Sequence, residues 1–334
     1  MNNYSTPFHY VIFADDTDYL RAMFFDVLDN ENVEFIAGAI PFWRRLNTLF
    51  VRIIYRAHFN RHLNKFIPLP FKSLWYRNLY RGPVRDNICF VFFMDALLPH
   101  YIPLFEDLRH RYPGCKLALY IMDLVKSRKG ELDMSVLDYF DVAISYDKTE
   151  AEKYQLLHYP NFMSKLSTNN NTVSEHSDFC FIGAAKNRVC DISSLYKQLS
   201  AIGYKCDFIV YNHDAKELGN LENGIQVIDS VIPYSEYLEH INNCDCIVEI
   251  QQEESSGYTL RTLESLIYGK KLLTGNKSIK QADFYDSCQF MVYSENMDER
   301  QLQRFMSSEL ITKGSEIEER LSPVRFLDFI SEHL

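Results

Sequence analysis

Between Ser255 and Gly275 the sequence SSGYTLRTLESLIYGKKLLTG gathers residue types suited to a nucleotide diphosphate. Leu260, Leu263, Leu266 and Ile267 recur at helical spacing and mark one apolar face, and Gly269 stands where a helix ends in a left-handed residue. Arg261, Glu264 and Ser265 are therefore expected on a different face. Ser255, Ser256 and Gly257 precede the helix with hydroxyl caps and a backbone lacking a Cβ, which leaves the first amides open to an anion. The diphosphate of a sugar nucleotide suits such a turn, and a carboxylate further along the helix suits its ribose hydroxyls.

Two further sets of residues have chemistry to offer. Gly183 follows the apolar run FCFI, and Lys186, Asn187 and Arg188 come just after it, within reach of a phosphate if the glycine turns the backbone tightly. Aspartates stand at the ends of apolar runs at Asp15, Asp16, Asp95, Asp123 and Asp147. Ligands of parallel α/β sheets gather outside the carboxyl ends of the strands, so these are site candidates, weighed against the commoner use of Asp as a helix cap or turn residue. No zinc or disulfide spacing occurs among the 8 cysteines, and Cys244 and Cys246 alternate along one strand as buried thiols. No paired aspartates follow a strand in a metal-binding pattern, so no metal and no cofactor beyond the donor substrate are expected.

The elements that must position these groups read as alternating strands and helices. HYVIFA, VEFIAG, NICFVFFMD, KLALYIMD and DVAISYD are the strands of the first half, with helices at DYLRAMFFDVLDN, around Tyr101 to Arg111 and near Met134 to Tyr139. The Asn- and Ser-rich stretch Tyr159 to Asp178 loses periodicity and reads as a linker. FCFIG, KCDFIVY, IQVIDS, CDCIVEI and KKLLTG follow as strands, alternating with the helices SSLYKQLSAIG and PYSEYLEHINN and the one that carries Glu264. The expected division is an amino-terminal domain over residues 1–165, a linker over 166–176, a second domain over 177–315 and a terminal helix over 316–334, with Val324, Phe326, Leu327 and Ile330 inward.

Charge is unevenly spread. The net value of −10 argues against general nucleic-acid binding, yet Phe35 to Arg85 contains no acid and ten cations, which leaves −20 for the remainder. Arg44, Arg45, Arg52 and Arg56 fall near helical spacing around Leu49, Phe50 and Ile53 and form a cationic face suited to an anionic membrane surface or a lipid-linked acceptor. A solvated charged face packed on the sheet through its aromatics is the alternative. No apolar run of membrane-spanning length is present, and the amino terminus lacks the order of a signal peptide. The protein is accordingly expected in the cytoplasm, peripheral on the inner face of the cell membrane.

The paired α/β halves, the Asn-rich linker and the segment SGYTLRTLESLIYGKKLLT resemble bacterial glycosyltransferases of the GT-B fold, especially the retaining group 1 family of capsule and lipopolysaccharide synthesis. Gly257, Tyr258, Leu260 and Glu264 match the family's motif in place. Ser256 stands where its first Glu belongs and Thr259 where a second Gly is usual, with Glu253 and Glu254 just upstream. Asp123 matches the Asp of a strand-end His-Asp pair, with Met122 in place of the His. The resemblance implies two Rossmann-like domains facing each other across a cleft and transfer of a sugar from a nucleotide-diphosphate sugar to a glycan or polyprenyl-diphosphate-linked acceptor. It further implies that Glu264 binds the donor ribose, and that the amides of Gly257 to Thr259, with Lys186, Arg188 or Arg261, hold the diphosphate. Arg261 is alternatively an ion-pair partner of Glu264, and Asp15, Asp16 or Asp123 is the base if the reaction inverts. The rival readings are a non-catalytic sugar-nucleotide-binding subunit and a sugar-nucleotide epimerase.

Overall fold

A computed structural model describes residues 6–38, 48–60, 63, 70–125, 132–167, 175–185, 188–211, 221–250, 257–294, 297–310 and 314–334. The chain divides into two compact units, residues 1–160 with 322–334, and residues 161–321. Each is built on a six-stranded sheet in which every described pair is parallel. These are the two Rossmann-like domains expected from the alternation of strand and helix.

The strands of the first unit are β1 (His9–Ala14), β2 (Val33–Ala37), β3 (Ile88–Phe93), β4 (Lys116–Ile121), β5 (Val142–Ser145) and β6 (Leu157–His158), in the order β2-β1-β3-β4-β5-β6. Every residue of HYVIFA and ICFVFF is buried, as it must be in a parallel strand covered on both faces. The order reverses next to β1, so a crevice opens at the carboxyl ends of β1 and β3. The helices Asp18–Met23, Leu49–His58, Ile102–Arg111 and Lys148–Tyr154 flank this sheet in sequence, and Met134–Tyr139 is a 3₁₀ turn where a helix was expected.

The last helix, Pro323–Glu332, closes the first unit although it ends the chain. Pro323, Phe326, Leu327 and Ile330 are buried while Val324 is half-buried. The Tyr10 hydroxyl donates to the Leu327 carbonyl at 2.7 Å, and the Phe326 ring lies 4.8 Å from Tyr120 and 5.4 Å from Tyr159. The units part after Pro160, within the stretch Tyr159 to Asp178 and ahead of the expected linker at 166–176, of which 168–174 lie outside the described residues.

The second unit holds β7 (Ser177–Ala184), β8 (Cys206–Tyr211), β9 (Gln226–Ile228), β10 (Cys244–Glu249), β11 (Lys271–Thr274) and β12 (Phe290–Val292), in the order β12-β11-β10-β7-β8-β9. The reversal falls between β7 and β10, which places the ends of those two strands at the ligand-binding crevice of the sheet. The helices Val189–Ile202, Tyr234–Asn242, Leu260–Ile267, Glu299–Ser307 and Gly314–Leu321 complete the unit. Gly203 at φ +101 and Gly269 at φ +62 end their helices in the left-handed region as the sequence suggested. Residue 270 returns its amide to the Ser265 carbonyl at 2.8 Å, which satisfies one of the last helical carbonyls.

Candidate functional site

At the carboxyl ends of β7 and β10, four ionisable side chains are brought together within the second unit. Glu249 is the last residue of β10 and only 1% exposed. Its carboxylate accepts from the hydroxyls of Thr259 and Thr274, and from that of Thr262 at 3.4 Å. Thr259 is the cap of the helix Leu260–Ile267 and accepts the Arg261 amide at 3.2 Å. One carboxylate thus ties the start of the helix to the ends of β10 and β11. The turn ahead of the helix is held by two buried asparagines: Asn276 donates to the Gly257 carbonyl at 3.2 Å and Asn161 to the Tyr258 carbonyl at 2.9 Å. No acceptor is recorded among the described residues for the amides of Tyr258, Thr259 and Leu260. Thr259 caps the helix, and Ser255 and Ser256, the expected caps, lie outside the described residues.

Glu264 was expected on a face other than the apolar one, and residues Thr262 to Ile267 are all buried, with Glu264 2% exposed. The helix Tyr234–Asn242 covers it. Tyr234 donates to one carboxylate oxygen at 3.0 Å and Tyr237 to the other, and the two rings stack at 5.6 Å. Burial pushes the carboxyl up to about 7, against the pull of both tyrosine hydrogen bonds and the Arg261 charge. Each carboxylate oxygen has two lone pairs, so each retains one beyond its tyrosine.

Arg261 forms no ion pair with Glu264. Its guanidinium donates to the Ile182 carbonyl and lies over the Phe181 ring at 5.6 Å. Burial pulls this group down, but Tyr237, Glu264, Tyr211 and Glu249 hold it above its usual value, so Arg261 stays charged inside the unit. Gly183 explains the approach. It belongs to β7 and makes no tight turn; a Cβ there would fall 2.7 Å from the Arg261 Nη2.

Arg188 is 8% exposed and donates to the carbonyls of Ile250 and, at 2.6 Å, Ala184, while its Nε has no partner among the described residues. Burial, and then the nearby Arg261 charge, lowers it to about 10. Arg188 is buried and Arg261 half-buried, and their positive charges act on each other within a cluster that also holds Glu249 and Glu264. Lys186 and Asn187 lie outside the described residues.

The first unit has a separate crevice of about 130 Å³ at the ends of β1, β3 and β4, lined by Asp15, Tyr19, Asp95, Met122 and Asp123 among others. The Tyr19 phenol is held above its usual value, first by burial and then by Asp15, Asp95 and Asp123, which all face it. Asp123 is exposed and accepts the Leu124 amide at 2.8 Å. Asp16 is exposed and is not among the residues lining this crevice, and its amide donates to the Asp15 carboxylate at 2.8 Å. Asp147 is the buried cap of the helix Lys148–Tyr154 and accepts the Glu150 amide at 2.9 Å, a structural use.

In the basic segment, Arg44 and Arg45 lie outside the described residues, Arg56 is exposed and Arg52 is half-buried. The expected cationic face is accompanied by an apolar one, since Leu49, Phe50, Ile53 and Ile54 all point to solvent.

No protein-family model matches the sequence, and no curated protein does. Solved structures do match. One is an alpha-glucosyltransferase in complex with UDP and a 13-mer DNA containing a central A:G mismatch, at 13% identity, with 97% of this chain and 93% of that one covered and a TM-score of 0.56. Another is an alpha-glucosyltransferase in complex with UDP-glucose and DNA containing an abasic site, at 11% identity, with 97% and 93% covered and a TM-score of 0.53. The likeness is one of fold, and it extends over nearly the whole chain.

Sequence reasoning missed Glu249, Tyr234, Tyr237 and Tyr19. Glu249 ends an apolar strand run, the same signal that singled out the strand-end aspartates, and it was open to the same argument. The tyrosines carried no signal, because they reach their carboxylates only through packing.

Proposed function

We propose that this protein transfers a glycosyl group from a nucleotide-diphosphate sugar to a glycan or polyprenyl-diphosphate-linked acceptor at the inner face of the cell membrane, in the synthesis of a bacterial surface polysaccharide such as capsule, lipopolysaccharide or O-antigen. The observation that carries this reading is that Arg188, Arg261 and the start of the helix Leu260–Ile267 come together at the β7/β10 reversal. Their charge, with the amides of Tyr258 to Leu260, suits a diphosphate, and Lys186, Asn187, Ser256 and Gly257 adjoin it in sequence. Glu264, the ribose ligand expected from the motif, is instead sealed beneath Tyr234 and Tyr237 and supports the helix that carries Arg261. The complexes with UDP and UDP-glucose among the proteins of like fold favour a nucleotide-sugar donor.

Negative charge builds on the leaving diphosphate as the glycosidic bond breaks, and fixed cations there lower the barrier without reorganisation. We assign retention of anomeric configuration, in keeping with the matched motif, and assign Asp15, Asp95, Asp123 and Tyr19 to acceptor hydroxyls. Titration calorimetry with UDP, GDP and their sugars, alongside mass spectrometry of the donor, tests the reading. Arg188→Met and Arg261→Met are expected to weaken nucleotide binding by about tenfold or more, the scale of a lost charged hydrogen bond. Unchanged affinity in both folded variants would remove the donor site. Binding without turnover on any acceptor would leave a binding subunit, and conversion of the free sugar nucleotide would leave an epimerase.

A further inference from the structure

The helix Leu49–His58 is accounted for on its inner side. Tyr55 is buried, with its ring 4.8 Å from Phe59 and 5.3 Å from Trp75 and its hydroxyl 3.2 Å from that of Tyr76. The outer side reverses the usual pattern of a surface helix. Leu49 is 76% exposed, Phe50 71%, Ile53 55% and Ile54 41%. At 100° per residue these four cover an arc of about 140° opposite Tyr55, with Arg52 and Arg56 along one border. The following turn extends the patch. Phe71, held at a left-handed φ of +62, is 72% exposed and Leu74 56%. His58 ties that turn to the helix through the Pro70 carbonyl at 2.8 Å and the Trp75 indole at 3.0 Å.

We infer that this face docks on an anionic phospholipid bilayer, with the helix lying in the plane of the interface and Leu49, Phe50, Ile53 and Ile54 entering it. The inference rests on the proposed membrane-borne acceptor only for its purpose; the surface argument is independent of the donor site. The occupant follows from charge. From Phe35 to Arg85 there is no acid, and the same stretch carries the exposed Arg56 beside the patch and Lys72 in the turn that follows. A second copy meeting the same face would set like charges against one another. An extended negative surface with an apolar interior satisfies both features at once.

The test is co-sedimentation of the full chain with sucrose-loaded vesicles of phosphatidylcholine containing about 30% phosphatidylglycerol, in about 0.1 M salt. The triple variant Leu49→Ser, Phe50→Ser, Ile53→Ser keeps every charge and alters only exposed side chains. It is expected to lower the partition coefficient at least about 30-fold, because each large apolar side chain withdrawn from water is worth roughly tenfold. Arg52→Glu with Arg56→Glu is expected to lower it as well, and more steeply on anionic than on neutral vesicles. Wild-type protein that stays in the supernatant, or a triple variant that sediments equally, overturns the inference. So does concentration-dependent dimerisation in sedimentation velocity that the triple variant abolishes, which would give the face to a second copy. UDP binding in vesicle-free buffer, measured on the same proteins, reports on the donor site alone, so either reading can fail without the other.

Discussion

Replacing Glu264 by Gln should change the pH dependence of stability in a defined direction. The carboxyl is 2% exposed and titrates near 7 in the folded protein, against an ordinary value of 4.5. Below about pH 4.5 both states are protonated and the group adds no difference. Between 4.5 and 7 the folded state keeps a proton that the unfolded state has released, so stability falls as pH rises through this window. Above 7 both states are ionised, and the native state carries a penalty of about 3 kcal/mol from the gap between the two values. Glutamine has the same shape and does not titrate, so its exchange of hydrogen bonds with Tyr234 and Tyr237 adds an offset that is independent of pH. The unfolding free energy of Glu264→Gln minus that of wild type should therefore rise by about 3 kcal/mol from about pH 4.5 to about pH 8. Urea denaturation at steps across this range reads it. Both tryptophans, Trp43 and Trp75, fall within residues 1–160, so fluorescence follows the first unit, and far-UV circular dichroism, which sums both, gives the second by comparison. A difference that stays flat within about 1 kcal/mol, or that falls with pH, would refute the burial argument.

Three other substitutions probe the same architecture. Gly183→Ala puts a methyl 2.7 Å from the Arg261 Nη2 and should displace the guanidinium from the Ile182 carbonyl, with a loss of roughly 1 kcal/mol in stability and about tenfold in UDP affinity by calorimetry. Equal affinity would mean that Arg261 does not need its present place. Glu249→Ala strips three threonine hydroxyls of a buried acceptor and should cost the second unit about 3 kcal/mol in urea, with Glu249→Gln recovering most of it. A glutamine variant as unstable as the alanine variant would mean that the negative charge, not the acceptor geometry, matters at that position. Phe326→Ala should destabilise the first unit by about 3 kcal/mol, seen in the fluorescence of Trp75. An unchanged fluorescence midpoint would separate the terminal helix from that unit.

Local structure was legible because it follows local rules. HYVIFA and ICFVFF are apolar throughout, which a strand requires when both faces of its sheet are covered, and they form β1 and β3. Gly203 and Gly269 mark the ends of their helices because only glycine adopts the left-handed turn without strain. Of the amphipathic set Leu260, Leu263, Leu266 and Ile267, the last three are buried and Leu260, at the helix start, is half-buried.

The sequence alone therefore determined the two α/β sheets and ten of the twelve described strands, but not the short edge strands β6 and β12. What lies against each residue was decided by tertiary structure. Arg261 meets the carbonyl of Ile182, and Glu249 gathers hydroxyls from Thr259, Thr262 and Thr274. Tyr234 and Tyr237 cover the face on which Glu264 stands, and Tyr10 draws the last helix back onto the first sheet. Periodicity reports which side of a helix is apolar; it does not report that a second helix seals the polar side as well. Strand order sets which chain ends converge, and in parallel sheets that order is made by crossovers linking segments remote in sequence. The chemistry of the candidate site follows from those convergences.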